Sequence, residues 1–170
     1  MTNSELFAVI RTKISEVSEI PAPEAKAGAP AHEGKPYRDP YLFVSCPAAK
    51  WTDLSRLLKE DPQLDFDFLV MVTAADYLTP EPKMEAIYHL YSFKHRHKIF
   101  VKIPLPRENG SVASVISLWK TADWQEREVY DMYGMKFSGH PNMKRILMWD
   151  GFPGWPLRKD YAHIPDRYDD

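Results

Sequence analysis

Four side chains lie close enough in the sequence to suggest proton-transfer chemistry: Glu126, Glu128, Asp131 and His140. A carboxylate and an imidazole are the usual general acid and base of an enzyme site. Helical spacing argues against joint action, because Glu126 and Glu128 are two apart and diverge, whereas Glu128 and Asp131 are three apart and share a face. Acidic residues near a helix start also complement its dipole, so the carboxylates read as structural unless a pocket gathers them. His95 and His97 flank Arg96 in a basic turn, which suits a solvated loop tip better than a phosphate site. A zinc centre through His89, His95 or His97 would need a further ligand, and neither an HExxH pair nor a neighbouring cysteine is present. His140 precedes Pro141 and fits a turn or a bond to nearby backbone, and His163 offers nothing specific. The single cysteine, Cys46, can form no internal disulfide and no thiolate cluster, which fits a reducing compartment.

The stretch 134–161 poses a different question. Phe137, Trp149, Phe152, Trp155 and Tyr161 are interleaved with Lys136, Lys144, Arg145, Arg158 and Lys159. A Pro-broken segment has too little regular structure to bury those rings within itself. Aromatic rings and arginines are the anchors of well-packed protein interfaces, since they bury much area for few lost rotamers and pair bidentately with carboxylates. The segment therefore either docks on another protein or folds back over its own sheet. Stacking on nucleic-acid bases ranks below both, because 22 Lys and Arg against 24 Asp and Glu give a formal charge of −2.

The elements that must position these residues follow from periodicity. A chain of 170 residues suits one domain, able to bury roughly 68 to 70 % of its unfolded surface. Thr2 and Glu5 make a capping box before Leu6, Ile10, Ile14 and Val17, predicting an amphipathic helix that ends before Pro21. Five prolines between 21 and 40, with Ala and Gly, predict a flexible connector over 20–40. A strand at 41–46 and a helix at 48–60, with Trp51, Leu54 and Leu58 on one face, come next. Strands at 66–73, 84–93 and 98–105 follow, separated by turns. Thr121 is placed to cap a last helix reaching about Tyr133, with Gly134 as its stop and no regular structure expected beyond. The order predicts an α+β fold, a mainly antiparallel sheet with helices on one side, as a body over 1–133 and an extended interface tail over 134–170. GxGxxG and GxxxxGKS/T are absent, so a phosphate-cradling fold is disfavoured. No uncharged run approaches the ~20 residues of a spanning helix, and 2–17 carries charges that a secretory signal would not.

The ordered string Trp124, Glu126-Arg127-Glu128-Val129-Tyr130-Asp131-Met132-Tyr133-Gly134, Phe137, Gly139-His140-Pro141, Arg145-Ile146-Leu147 and Pro156-Leu157-Arg158-Lys159-Asp160-Tyr161 resembles the C subunit of proton-pumping NADH-quinone oxidoreductase, respiratory complex I. Fainter likeness runs upstream through 64–69, Asp76-Tyr77, 87–90 and Ser114-Val115, covering most of the chain from about Tyr41 but not the connector. The resemblance implies a subunit of the hydrophilic arm with no active site and no cofactor of its own, whose extended C-terminal segment lies on the hydrogenase-like D subunit. Electrons from NADH would pass through FMN and iron-sulfur clusters in partner subunits to quinone, coupled to proton translocation. The same likeness implies a peripheral position on the cytoplasmic side of the bacterial inner membrane, touching the membrane only through the complex.

On that reading Arg127, Arg145, Arg158 and Lys159 pair with partner carboxylates. Glu126, Glu128, Asp131 and Asp160 pair with partner or internal basic groups, while Trp124, Tyr130, Phe137 and Tyr161 pack; His140 and Trp155 complete the expected interface. Two features depart from the family pattern: Trp155 stands where a histidine is usual, and the chain stops nine residues past Tyr161, implying a shorter wrap. The equivalent subunit of a membrane-bound energy-converting hydrogenase, and an independent soluble enzyme using Glu126, Glu128 and His140, remain the alternatives.

Overall fold

The computed structural model describes residues 1–21 and 41–162. Nearly all of the expected 20–40 connector lies outside them. The first helix, α1, covers Asn3–Lys13, and its capping box forms as expected, with the Thr2 hydroxyl accepting from the Glu5 N–H and the Glu5 carboxylate accepting from the Thr2 N–H. It is shorter than its periodicity suggests. Ile14 is extended and Ser18–Glu19 forms β1, pairing antiparallel with Leu42–Ser45, β2. Ile14 and Val17 are still buried, so apolar spacing that reads as a third helical turn belongs to a strand entry.

A short 3₁₀ turn, Ala48–Lys50, leads into α2, Trp51–Glu60. Trp51, Leu54 and Leu58 are all fully buried, the face expected from their spacing, and each such side chain is worth roughly 1.5–3 kcal/mol. The three expected strands are β3 (Phe68–Tyr77), β4 (Lys83–Ser92) and β5 (His97–Pro106). β3 starts later and runs farther than its composition predicts, continuing through Ala74, Ala75 and Asp76, which are weak strand formers. Its pairing with β4 carries it, through Tyr77 against Lys83.

The sheet order is β1-β2-β5-β4-β3, antiparallel throughout except for the parallel pairing of β2 with β5. Alternate residues of β4 and β5 (Met84, Ala86, Tyr88, Leu90; Ile99, Val101, Ile103, Leu105) point into one core. Leu6 and Ile10 of α1, the α2 face and Val129 of the last helix join the same core. The opposite face of the sheet carries aromatic rings: Phe43 stacks on Phe100 at 5.0 Å, and Phe100 on His89 at 4.3 Å.

The last helix, α3, covers Ala122–Tyr133 and ends at Gly134 in the left-handed conformation (φ 75°), as the sequence predicts. Thr121 does not cap it. Its hydroxyl instead donates to Leu69 O at 3.4 Å, and Gln125 accepts a bond from Val72 N–H, so α3 closes the exposed edge of β3. Regular structure also extends past Gly134, where the sequence predicts none. Lys136–Ser138, β7, pairs in parallel with Ser111–Ala113, β6, and this places Met135 and Phe137 in the core.

Candidate functional site

Helix α3 presents its charged residues in three different settings. Glu126 is fully buried and accepts from Ser114 Oγ at 2.6 Å and Val115 N–H at 2.9 Å, pinning the segment after β6 to the helix. Burial pushes its carboxyl up to about 7, against the pull of those two donors and with help from nearby Asp123. Glu128 is exposed. Arg127 is buried with its Nε bonded to Lys144 O at 3.2 Å and its guanidinium 4.9 Å from the Trp124 ring, while Trp124 itself is 65% exposed.

The raised Glu126 carboxyl has a measurable consequence. Its folded value lies above the ordinary 4.5, so its contribution favours the folded state below pH 4.5 and is lost as pH rises through about 7. The loss is on the order of 3 kcal/mol. Melting temperature measured against pH is expected to fall over that window in the wild type relative to Glu126→Gln; parallel curves would refute the assignment.

Asp131 receives the segment that follows β7. Its Oδ2 accepts from three successive backbone N–H groups, Ile146 at 2.8 Å, Leu147 at 2.7 Å and Met148 at 3.0 Å, and its Oδ1 accepts from Arg145 Nη1 at 2.7 Å. Burial is the largest influence and opposes ionisation, but these donors together outweigh it and hold the carboxyl below its usual range. Arg145 reaches further: it donates to Asp131 O, Phe152 O and Gly154 O and lies 4.4 Å from the Trp155 ring. One carboxylate and one guanidinium thus hold a loop that has no ladder of its own.

A second ionic knot ties the end of this segment to the sheet. Asp76, on the core side of β3, takes Arg107 Nε at 2.8 Å, Arg107 Nη2 at 3.0 Å and the Lys159 N–H at 2.8 Å. Burial again opposes ionisation of Asp76 and is again outweighed, first by Arg107 and then by the Lys159 N–H. Arg107 also grips Asp160 through Nη1 at 2.9 Å and a second, short bond from Nη2. Arg158 donates to Tyr133 O at 2.7 Å and Arg107 O at 3.4 Å and stands 3.8 Å from the exposed Glu108.

The remaining expected residues find these places. Trp155 packs edge-on to Tyr130 at 5.4 Å and covers Gly134, where an added Cβ would come within 2.5 Å of the indole. Only glycine fits there, both for that contact and for its φ. Tyr161 stacks with Phe152 at 6.1 Å and touches Gly154. His140 bonds Asp123 O at 3.2 Å and accepts from Asn142 N–H at 3.1 Å, the local turn that its Pro141 neighbour suggests. Phe137 lies in the core, and the Lys159 side chain is exposed.

The structure therefore brings Asp131, Arg145, Trp155 and Tyr130 together, and Arg158, Asp160 and Lys159 around Arg107. Glu126 and His140 are engaged elsewhere. Residue-by-residue reading missed Arg107 and the depth of Asp76, although one signal was present: Asp76 has the parity of Val72 and Ala74, the buried side of β3. Among the side chains this surface leaves outward are large apolar ones, with Leu147 57%, Trp149 62% and Leu157 51% exposed, interspersed with exposed Glu128, Lys144, Asp150 and Lys159. Among the described residues no group of three or more His, Cys, Asp or Glu side chains is arranged to hold a metal ion, and no helix is long and apolar enough to cross a membrane.

Known proteins share this arrangement of sequence and fold. The model of the family described as respiratory-chain NADH dehydrogenase, 30 Kd subunit, matches residues 44–166. A Rhizobium meliloti (strain 1021) protein, named as a C subunit of NADH-quinone oxidoreductase, is 44% identical over 121 residues, which make up 71% of this chain and 65% of that relative, so the match spans about two thirds of its length. The solved structure of Nqo5, as a trypsin-resistant fragment (1-134), superposes with a TM-score of 0.62 at 26% identity, covering 84% of this chain and 99% of that one. A chain of the membrane-bound sulfane sulfur reductase, an archaeal respiratory membrane complex, shares the fold with a TM-score of 0.73 at 24% identity over 98% of this chain and 95% of that one. With the ERE-containing helix, its buried Asp131 and the anchored segment 145–161 all inside the matched region, the chain belongs to the respiratory-chain NADH dehydrogenase 30 Kd subunit family.

Proposed function

We propose that this chain is a non-catalytic subunit of the hydrophilic arm of NADH-quinone oxidoreductase, and that the surface built on α3 and residues 140–161 seats the hydrogenase-like D subunit. The observation that carries this reading is the contrast on that surface. Its charged groups, Asp131, Arg145, Arg107 and Arg158, hold the segment to its own body, while Trp124, Leu147, Trp149 and Leu157 face outward. A tethered segment with outward apolar side chains loses little entropy on docking and gains much buried area, which is the property of an interface anchor. FMN, iron-sulfur clusters and quinone belong to neighbouring subunits in this reading. The chain supports the path from NADH to quinone by holding those subunits in register, at the cytoplasmic side of the bacterial inner membrane. Glu126, Glu128 and His140 do not make a competing active site: Glu126 is sealed in the core, Glu128 is exposed, and His140 is bound to Asp123.

The test is affinity capture of the tagged chain from gently solubilised membranes, with mass spectrometry of what accompanies it. The D subunit with iron-sulfur and membrane subunits is the expected result, and Trp149→Asp with Leu157→Asp should lower that recovery at least tenfold without changing the melting temperature. Recovery of the chain alone from the soluble fraction would overturn the proposal.

A further inference from the structure

The other concentration of exposed apolar side chains lies far along the sequence from α3, on the sheet face turned away from the core. Phe68 is 41%, Val70 39% and Phe93 59% exposed. With His89, Tyr91 and Lys98 they line an open groove of about 370 Å³. The rings are already ordered against one another: Phe68 and Phe93 lie 5.6 Å apart, and Tyr91 meets Phe93 edge-on at 4.9 Å. His89 Nε2 is buried and has no hydrogen-bond partner among the described residues. Burial, and then nearby Lys98, hold that imidazole below its usual value, so the ring is neutral at neutral pH.

Lys98 is the charged side chain that lines the groove, and at the groove's end the exposed Asp67 is already engaged, accepting from the Phe93 N–H at 2.9 Å. Lys98 and Lys102 both point outward from β5, whereas the nearest acidic residue on the neighbouring strand, Glu85, pairs with Lys83 at 3.1 Å and accepts from Tyr77. The adjacent edge of β3 is closed to a further strand, because Thr121 and Gln125 of the α3 side bond Leu69 and Val72. An occupant must therefore seat side chains in the groove rather than extend the sheet. A second copy of this chain is disfavoured, since a two-fold contact would set Lys98 and Lys102 against themselves.

We propose that this groove is a second docking surface, which receives an apolar segment carrying a carboxylate from a neighbouring subunit. The apolar side chain sits on Phe68, Tyr91 and Phe93, and the carboxylate meets Lys98. This inference rests on the multi-subunit reading above but not on the α3 surface itself.

The experiment places p-benzoylphenylalanine at position 93, and separately at 149, in the full chain within its membrane complex. Illumination at position 93 should cross-link a peptide of another subunit that contains Asp or Glu. Lys98→Glu should cut that yield at least tenfold, and changing the contacted carboxylate to Lys should restore it, with the position 149 cross-link unaffected throughout. Cross-linking at 93 only to a second copy or to residues 22–40 of the same chain overturns the proposal, as does insensitivity to Lys98→Glu. Silence at 93 with a product at 149 overturns it while leaving the assembly reading intact; silence at both positions overturns the two together.

Discussion

Asp131→Ala should release the segment 144–154 from the body of the protein while the sheet, and the knot that holds residues 158–160, stay in place. The substitution removes the acceptor of three consecutive N–H groups and leaves Arg145 without its carboxylate. Breaking one side of a buried, hydrogen-bonded ion pair costs about 3–5 kcal/mol. Much of that cost is avoided if the segment peels into water, so the effect should appear as local opening. At about 3 kcal/mol the open population rises roughly a hundredfold. Trypsin cleavage at Lys144 and Arg145, and hydrogen exchange at 146–148, should accelerate by that factor. Exchange in β4 and β5 should change little. Asp131→Asn, which keeps an acceptor but loses the charge, should fall between the two. Because this carboxyl lies below its ordinary 3.8, the wild-type anchor persists above that pH and is lost as pH falls toward the depressed value. Unchanged protection at 146–148 in Asp131→Ala would disprove the anchoring role.

Arg107→Ala is expected to lower the global stability of the fold strongly. It strands Asp76, whose side chain is wholly buried on the core side of β3, and frees Asp160 from its grip. The expected loss of global stability is about 3–5 kcal/mol. Replacing both partners of the pair, Asp76→Leu with Arg107→Met, should recover most of it, because apolar residues of similar volume cost no desolvation. It should not recover the anchoring of residues 158–161, since the Lys159 N–H and Asp160 still lose their partners. Denaturant unfolding and hydrogen exchange at 158–161, measured on the same three proteins, separate the two effects. Equal exchange at 158–161 in the wild type and the double variant would show that the knot does not hold the segment.

These expectations depend on how chemistry-bearing residues were distributed by the fold. Glu126, Glu128 and Asp131 look equivalent in the sequence, as three carboxylates on one helix. Spacing separated Glu126 from Glu128 but put Glu128 and Asp131 on a shared face; the structure gives Glu126 to Ser114 and Val115, buries Asp131 under the loop at 146–148, and leaves Glu128 to solvent. Gly134 was legible as the stop of α3, and its positive φ agrees. That Trp155 comes to lie on it was not legible, because nothing local links positions 21 apart in an irregular segment. Thr121 was misplaced as a cap because its own backbone is helical (φ −64°, ψ −16°) rather than in the extended conformation that turns a cap hydroxyl toward the first N–H groups, and that hydroxyl donates to Leu69 O instead.

The sequence by itself determined the pieces whose causes are local. Apolar spacing set α1 and the buried face of α2, alternation set β4 and β5, the capping box started α1 and glycine ended α3. The motif string from Trp124 to Tyr161 marked the family. Only the tertiary structure decided where α1 gives way to β1, how far β3 runs, that β7 exists, and which arginine serves which aspartate. Each of those outcomes depends on a partner 31 to 83 residues away in the pairs of Arg107 with Asp76 and of the Lys159 N–H with Asp76, or on a neighbouring strand. A short charged or extended segment carries no record of that partner in its own periodicity, because a buried charge is stable only where the fold delivers its counter-charge.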